Sequence, residues 1–260
     1  MASLLFKHIE TFQGERPWGT FLDAGTGVNS ISWVSGLDTE SWTAVTGAEG
    51  MALSVERAIK EKKRPQDRLL LGNWQASGFL GEERFDTVLA DYLLGAIDGF
   101  APYWQDQLFP RLRRLTKKRL YLVGLEPYVP FNATTAAGRL VVEIGRLRDA
   151  CLLLAGERTY REYPASWVER QLDQAGFDLL EVKRFPIRYG KKFVQSQMAM
   201  CRQRMEIVAD RKLARAMLDH ADELERRALE HIEIEGGLSH GADYVMVAEP
   251  KAAKAVKTLK

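Results

Sequence analysis

Short apolar runs alternate along the chain with longer stretches whose apolar residues recur every three to four positions. That is the pattern of a parallel sheet covered by helices. Thr20-Phe21-Leu22 ends at Asp23, and Trp42 to Thr46 precedes a helical stretch from Met51 to Lys63. Arg68 to Leu71 stops at Gly72-Asn73-Trp74, Phe85 to Ala90 stops at Asp91, and Arg119 to Leu125 stops at Glu126-Pro127. Each run reads as a strand buried on both faces. Past residue 130 the period lengthens. Ala133 to Gly156 is helical, with Leu140, Ile144, Leu147, Cys151 and Leu154 on one face. Ser166-Trp167-Val168-Glu169 has the spacing of a capping box and opens a helix that ends at Gly176. A strand follows from Phe177 to Phe185. Phe193 to Ile234 is helical and charged, with Asp210 placed to cap a second helix and make a hairpin. Tyr244 to Ala248 is the last strand, before a tail carrying Lys251, Lys254, Lys257 and Lys260.

Composition narrows the class. The chain of 260 residues has 37 Lys and Arg against 35 Asp and Glu, a net charge of +2. Such a balance supplies no field that would hold a phosphate backbone, so no nucleic-acid partner is expected. No apolar run approaches the ~20 residues of a membrane helix, and no signal-length stretch stands at the start. The two cysteines, Cys151 and Cys201, make no disulfide framework. A cytoplasmic globular protein is expected, with a possible homodimer. His220 and His231 lie roughly 16 Å apart along one helix, too far to share an ion, so no metal site is expected.

The chemistry gathers at strand ends. Asp23-Ala24-Gly25-Thr26-Gly27 follows the first strand, where Gly-x-Gly allows a tight turn and close approach of a ligand to the backbone. An acid two residues before the first glycine would repel a pyrophosphate and suit an ammonium. That favours a nucleoside carrying an amino acid over a dinucleotide. Glu49, just past the second strand, stands where Rossmann-like sites place a carboxylate on the ribose hydroxyls, with Gly50 and Met51 beside it. Asn73 offers an amide to a base edge, and Trp74 offers either a stacking ring or core packing. Asp91 and Tyr92, at the fourth strand end, face the same crevice.

With these residues in order, the sequence resembles the class I S-adenosylmethionine-dependent methyltransferases. Asp23 to Gly27 matches that family's first motif and Glu49 its ribose-binding acid. Asn73 stands where the family often has an adenine-binding Asp, and Asp91 ends the strand of the fourth motif. Leu172-Asp173-Gln174-Ala175-Gly176-Phe177 resembles the helix-to-strand passage before the family's last hairpin. Asn29, in place of a third glycine, and Asn73, in place of an acid, depart from the pattern. The resemblance implies an α/β fold with a seven-stranded, mostly parallel sheet whose last strand is antiparallel, and helices on both faces. It implies one domain: residues 1–17 as an N-terminal lid, 18–185 and 243–250 as core, 186–242 as a helical insertion and 251–260 as a basic tail. The implied cofactor is S-adenosylmethionine, held by Asp23, Ala24, Gly25, Thr26, Gly27, Glu49, Gly50, Met51, Asn73, Trp74 and Asp91.

The implied activity is in-line methyl transfer to a small-molecule acceptor, which needs alignment and exclusion of water more than covalent help. Asp91 is the first candidate for a polar group near the methyl, with Tyr92 beside it and His8 as a weaker candidate. Competing readings are a protein or nucleic-acid methyltransferase, an NAD-dependent oxidoreductase and a catalytically silent binding subunit. Asp91-Tyr92-Leu93-Leu94 lacks the Asn/Asp-Pro-Pro-Tyr run of base-amine methylation. The insertion carries Met198, Met200, Met205 and Met217, suited to an acceptor pocket or lid, or to plain packing. Tyr103, Trp104, Tyr128, Phe131, Tyr160 and Tyr163 are candidate pocket aromatics.

Overall fold

In the computed structural model, residues 3–129, 132–159 and 161–252 are described. Phe131, Tyr160, Lys254, Lys257 and Lys260 lie outside the described residues. Continuous apolar runs can be buried on both faces only at the centre of a layered sheet, and that is where they sit. β1 (Thr20–Asp23) lies between β2 (Ser41–Thr46) and β4 (Phe85–Asp91), parallel to both, with Asp23 level with Ala44 and Leu89. Phe21, Leu22, Trp42, Ala44, Val45, Val88 and Leu89 are buried. β3 (Arg68–Leu71) pairs outside β2 and departs from the expected two-faced burial, because an edge strand leaves Arg68 and Leu71 exposed. β5 (Thr116–Leu125) pairs beyond β4, three residues longer at its start than its apolar run. The full order is β3-β2-β1-β4-β5-β7-β6, and the last strands β6 (Phe177–Tyr189) and β7 (Leu238–Pro250) bring the antiparallel pairings. Both extend past the strand ends read from the sequence, Phe185 and Ala248.

The chain order reverses between β1 and β4, so a crevice opens outside the carboxyl ends of these strands. The connections that frame it are α2 (Val28–Val34), α3 (Glu49–Ile59), the single turn α4 (Leu93–Ala96) and α5 (Gln105–Leu115). α3 begins two residues before the expected Met51 and ends at Ile59 rather than Lys63. The segment expected to act as a lid is a docked helix, α1 (Leu4–Gln13), capped by the Ser3 hydroxyl. Phe6 stacks on Trp33 of α2 at 4.5 Å, Glu10 accepts from the Trp33 indole at 2.7 Å, and Gln13 accepts from the Tyr121 hydroxyl at 2.5 Å.

The chain forms two compact units: residues 1–124, 163–183 and 244–260, and residues 125–162 and 184–243. The first contains the sheet from β1 to β4 and α7 (Ala165–Gln174), whose Val168 and Leu172 are buried. Ser166 does not cap α7. Pro164 takes that position and Ser166 lies in the first turn, where a side chain shows the same sequence spacing. The second unit joins α6 (Ala136–Leu154), α8 (Lys191–Met205) and α9 (Arg211–Glu235). α6, read as part of the core, packs Val141, Ile144, Leu147 and Cys151 against Val194, Met198, Cys201 and Met205 of α8 and Ala221, Leu224 and Ala228 of α9. Leu154, expected on that buried face, is exposed at the helix end. Met198 and Met205 are fully buried in this bundle, so they pack helices together and are not acceptor contacts. Asp210 caps α9 as expected, accepting from the amides of Lys212 and Leu213 at 3.0 Å each.

Candidate functional site

The loop after β1 is held by its own side chains. The Ser30 hydroxyl donates to Asp23 Oδ2 at 2.7 Å and accepts from the Gly27 amide at 3.1 Å. The Thr26 hydroxyl donates to the Asp23 carbonyl at 3.0 Å and accepts from the Val45 amide at 3.1 Å, and the Thr26 amide donates to the Val45 carbonyl at 2.7 Å. These bonds tie the turn to the ends of β1 and β2, and the Ala24 amide ties it to β4 by donating to the Leu89 carbonyl at 2.8 Å. Gly25 is closely packed: a Cβ there would sit 3.0 Å from Leu93 Cδ1, so Leu93 would have to shift to admit it. At Gly27 a Cβ would meet nothing within 4 Å, so that glycine leaves space beyond the protein's own atoms.

A cavity of about 260 Å³ opens on this loop, near the ~300 Å³ lower end of small-molecule sites. Ala24, Gly25, Thr26 and Gly27 line it from β1, and Val45 to Ala48 and Met51 line it from β2 and α3. Gly72, Asn73 and Trp74 contribute from the end of β3, and Leu93, Ala96, Ile97 and Phe100 from the segment after β4. Apolar side chains form most of the wall, with backbone groups of the glycine turns supplying polarity. Val45, Thr46, Gly47, Ala48, Gly72, Leu93, Ala96, Ile97 and Phe100 were not picked out by motif reasoning. Gly47 and Gly72 each stand one residue past a strand end, which is the signal that would have found them.

The candidate residues divide. Ala24, Gly25, Thr26, Gly27, Met51, Asn73 and Trp74 line the cavity. Trp74 is both wall and core: it is buried, its indole donates to the Ala24 carbonyl at 2.8 Å, and its ring meets Phe79 edge-on. The Asn73 amide is engaged in the loop, donating to the Phe100 carbonyl at 3.1 Å and accepting from the Gln75 amide at 2.9 Å. Glu49 and Gly50 lie exposed in the first turn of α3, between the lining residues Ala48 and Met51.

Asp23 is fully buried, not open to the crevice as its motif position suggests. Its Oδ1 has no hydrogen-bond partner among the described residues. Burial pushes its pKa up to about 6, although the Ser30 hydroxyl, with Thr26 and the Gly25 amide at longer range, pulls the other way.

Asp91 ends β4, half-buried and level with Val123 of β5. Tyr92 follows with a left-handed backbone, φ 48°, a strained conformation for a side chain of its size. Its amide donates to the Val123 carbonyl at 3.0 Å. Neither residue contributes to the cavity wall. His8 is bonded through Nε2 to Glu181 of β6 at 2.8 Å, and neither residue lines the cavity. None of the described candidate pocket aromatics lines the cavity. Tyr103 is 87 % exposed, Trp104 packs on the sheet core, Tyr163 lies against Trp167 at 4.3 Å, and Tyr128 belongs to the helical unit.

No family model and no curated protein matches the sequence. Solved structures do match in three dimensions. A candidate methyltransferase of Bacillus halodurans C-125 aligns with TM-score 0.62 at 16% identity, over 96% of this chain and 99% of that one. The fold is that of the class I methyltransferases. A cyclopropane synthase of Mycobacterium tuberculosis aligns with TM-score 0.52 at 16% identity, over 94% and 83%. Phosphoethanolamine N-methyltransferase 2 of Haemonchus contortus, solved with S-adenosyl-L-methionine, aligns with TM-score 0.51 at 13% identity, over 96% of this chain and 52% of that one. Among the described residues no helix is long and apolar enough to cross a membrane, and no cluster of His, Cys, Asp and Glu would hold a metal ion.

Proposed function

We propose that this chain is an S-adenosylmethionine-dependent methyltransferase acting on a small-molecule acceptor. The observation that carries the reading is the cavity at the strand-order switch, walled by Gly25 to Gly27, the head of α3 and the apolar turn after β4. The residues present fit the cofactor's parts. The unsatisfied, buried Oδ1 of Asp23 is an acceptor suited to the methionine ammonium. Glu49, exposed at the head of α3, suits the ribose hydroxyls. Met51, Leu93, Ile97 and Phe100 suit a flat base. When bound, the cofactor supplies a methyl group already activated on its sulfonium. The chain's part is then to fix the donor, exclude water with an apolar wall, and accept an acceptor proton where one must leave, for which Asp91 is the candidate.

The similar structures differ in what their names say they act on, so a small acceptor rests on this chain's own charge balance of +2, which supplies no field for a nucleic acid. A cytoplasmic location and a possible homodimer belong to the same reading. The competing dinucleotide reading is disfavoured by a carboxylate two residues before Gly25. Calorimetry with S-adenosylhomocysteine and with NADH separates the two: binding of the first alone is expected, and binding of NADH alone overturns the proposal. Methyl transfer to a panel of small amines, thiols, phenols and acids then distinguishes an enzyme from a silent binding subunit.

A further inference from the structure

The loop between β3 and β4 encloses another cavity with α5, of about 290 Å³, in the unit that carries the sheet. Ser77, Gly78, Phe79 and Glu82 line it from the loop, and Arg111 and Arg114 from the helix. It shares no lining residue with the crevice. A Cβ on Gly78 would meet nothing within 4 Å, so the loop leaves that space open. Positions three apart on a helix are neighbours, so Arg111 and Arg114 leave α5 side by side, where like charges repel. A guanidinium keeps its proton in proteins, so only a counter-charge relieves that repulsion.

Among the described residues no carboxylate bonds to either arginine. Arg111, half-buried, donates through Nη2 to the carbonyls of Ala76 and Phe79, the second at 3.2 Å. Arg114 is exposed and makes no hydrogen bond or ion pair among the described residues. Arg113, between them in sequence, is spent elsewhere, on the carbonyls of Gly176 and Lys251. Glu82, the carboxylate in the wall, is exposed and bonds to neither arginine, while Glu83 is engaged by Arg68. Burial, and then the Arg114 charge, lower the pKa of Arg111, which marks its charge as uncompensated.

We infer that this cavity binds a phosphate group, free or at the end of a small monoester, between the Arg111 and Arg114 guanidinium groups. A guanidinium fork matches the oxygens of a tetrahedral oxyanion, and a dianion answers two such charges at once. A monocarboxylate answers one. The Ser77 hydroxyl, in the same wall, is a further donor. The volume admits a phosphate with a few carbons attached. The inference is independent of methyl transfer.

The test titrates the full chain by calorimetry at pH 7.5 and low ionic strength with inorganic phosphate, glycerol 3-phosphate, glycerol and acetate. Arginine side-chain N–H resonances report where the ligand sits. Saturable binding of phosphate, glycerol 3-phosphate or both is expected, with none of glycerol and weaker binding of acetate. The tighter of the two phosphates then names the source, free ion or monoester. Arg114→Gln should weaken binding about fivefold or more. That side chain holds no described protein group, so the fold should survive its loss. Glu82→Gln removes the negative charge from the wall and should tighten binding. Lys60→Gln removes an exposed charge at the end of α3 and should leave it unchanged. The proposal is overturned by no saturable binding of either phosphate, by an equal response to glycerol, or by acetate binding as tightly. Parental affinity in Arg114→Gln, weaker binding in Glu82→Gln, or an equal loss in Lys60→Gln overturns it too.

Discussion

At the scale of single residues, the site's unusual group is Asp23, sealed from solvent with one oxygen satisfied by Ser30 and the other without a hydrogen-bond partner among the described residues. Its pKa in the folded chain, about 6, lies above the ordinary 3.8. The native state therefore holds a proton longer than the unfolded chain, and stability falls as pH rises across about 4 to 6. The two-unit shift corresponds to about 3 kcal/mol lost above that window. Asp23→Asn keeps the shape without the charge. It should match the parent near pH 4, exceed it by up to about 3 kcal/mol at pH 7.5 in denaturant melts, and bind S-adenosylhomocysteine more weakly. A stability difference independent of pH would remove the buried charge as its cause. Glu49 gives a second handle. Glu49→Gln should cost about 1.5–3 kcal/mol of cofactor affinity and narrow the discrimination against a 2′-deoxy analogue. Equal discrimination by parent and variant would make Glu49 an ordinary acid at a helix start.

At the scale of elements, legibility follows burial. β1 and β4 are readable because both faces are covered, so each reads as a mostly apolar run that stops at an aspartate, broken in β4 only by Asp86 and Thr87. The outer half of β6 alternates half-buried and exposed positions up to Tyr189, and in β7 the buried Leu238 is followed by Ser239, His240 and Gly241, so neither extension stands out from a loop. The glycine turn of the site was legible through its spacing. The rest of the wall was not, since Leu93, Ile97 and Phe100 look like core until the strand order exposes them to a crevice. The methionines of α8 misled for a related reason: a flexible side chain serves a pocket and a helix seam equally well. Because Met198 and Met205 are fully buried in that seam, truncating either to Ala should cost about 2–5 kcal/mol by denaturant unfolding. A change below about 0.5 kcal/mol would contradict their role in the bundle.

At the scale of the whole molecule, the fold is shared with proteins whose identity to this chain is 13% to 16%, so function is carried by the site and not by the architecture. A ligand specific for the native state must raise its stability by mass action, about 2.7 kcal/mol at one hundred times its dissociation constant. S-adenosylhomocysteine at that excess should therefore raise the melting temperature by several degrees, while NADH leaves it in place. A shift with NADH alone would reverse the cofactor assignment.

The partition of the chain into two units has a practical sequel. All six tryptophans (Trp18, Trp33, Trp42, Trp74, Trp104 and Trp167) fall in the unit built on β1 to β4, and both cysteines fall in the helical unit. Cys151 and Cys201 are fully buried between α6 and α8, so a colourless thiol reagent can label them only when that seam opens. Indole emission and the rate of thiol labelling are thus two built-in clocks in one unmodified chain, the first timing the loosening of the sheet unit and the second that of the helices.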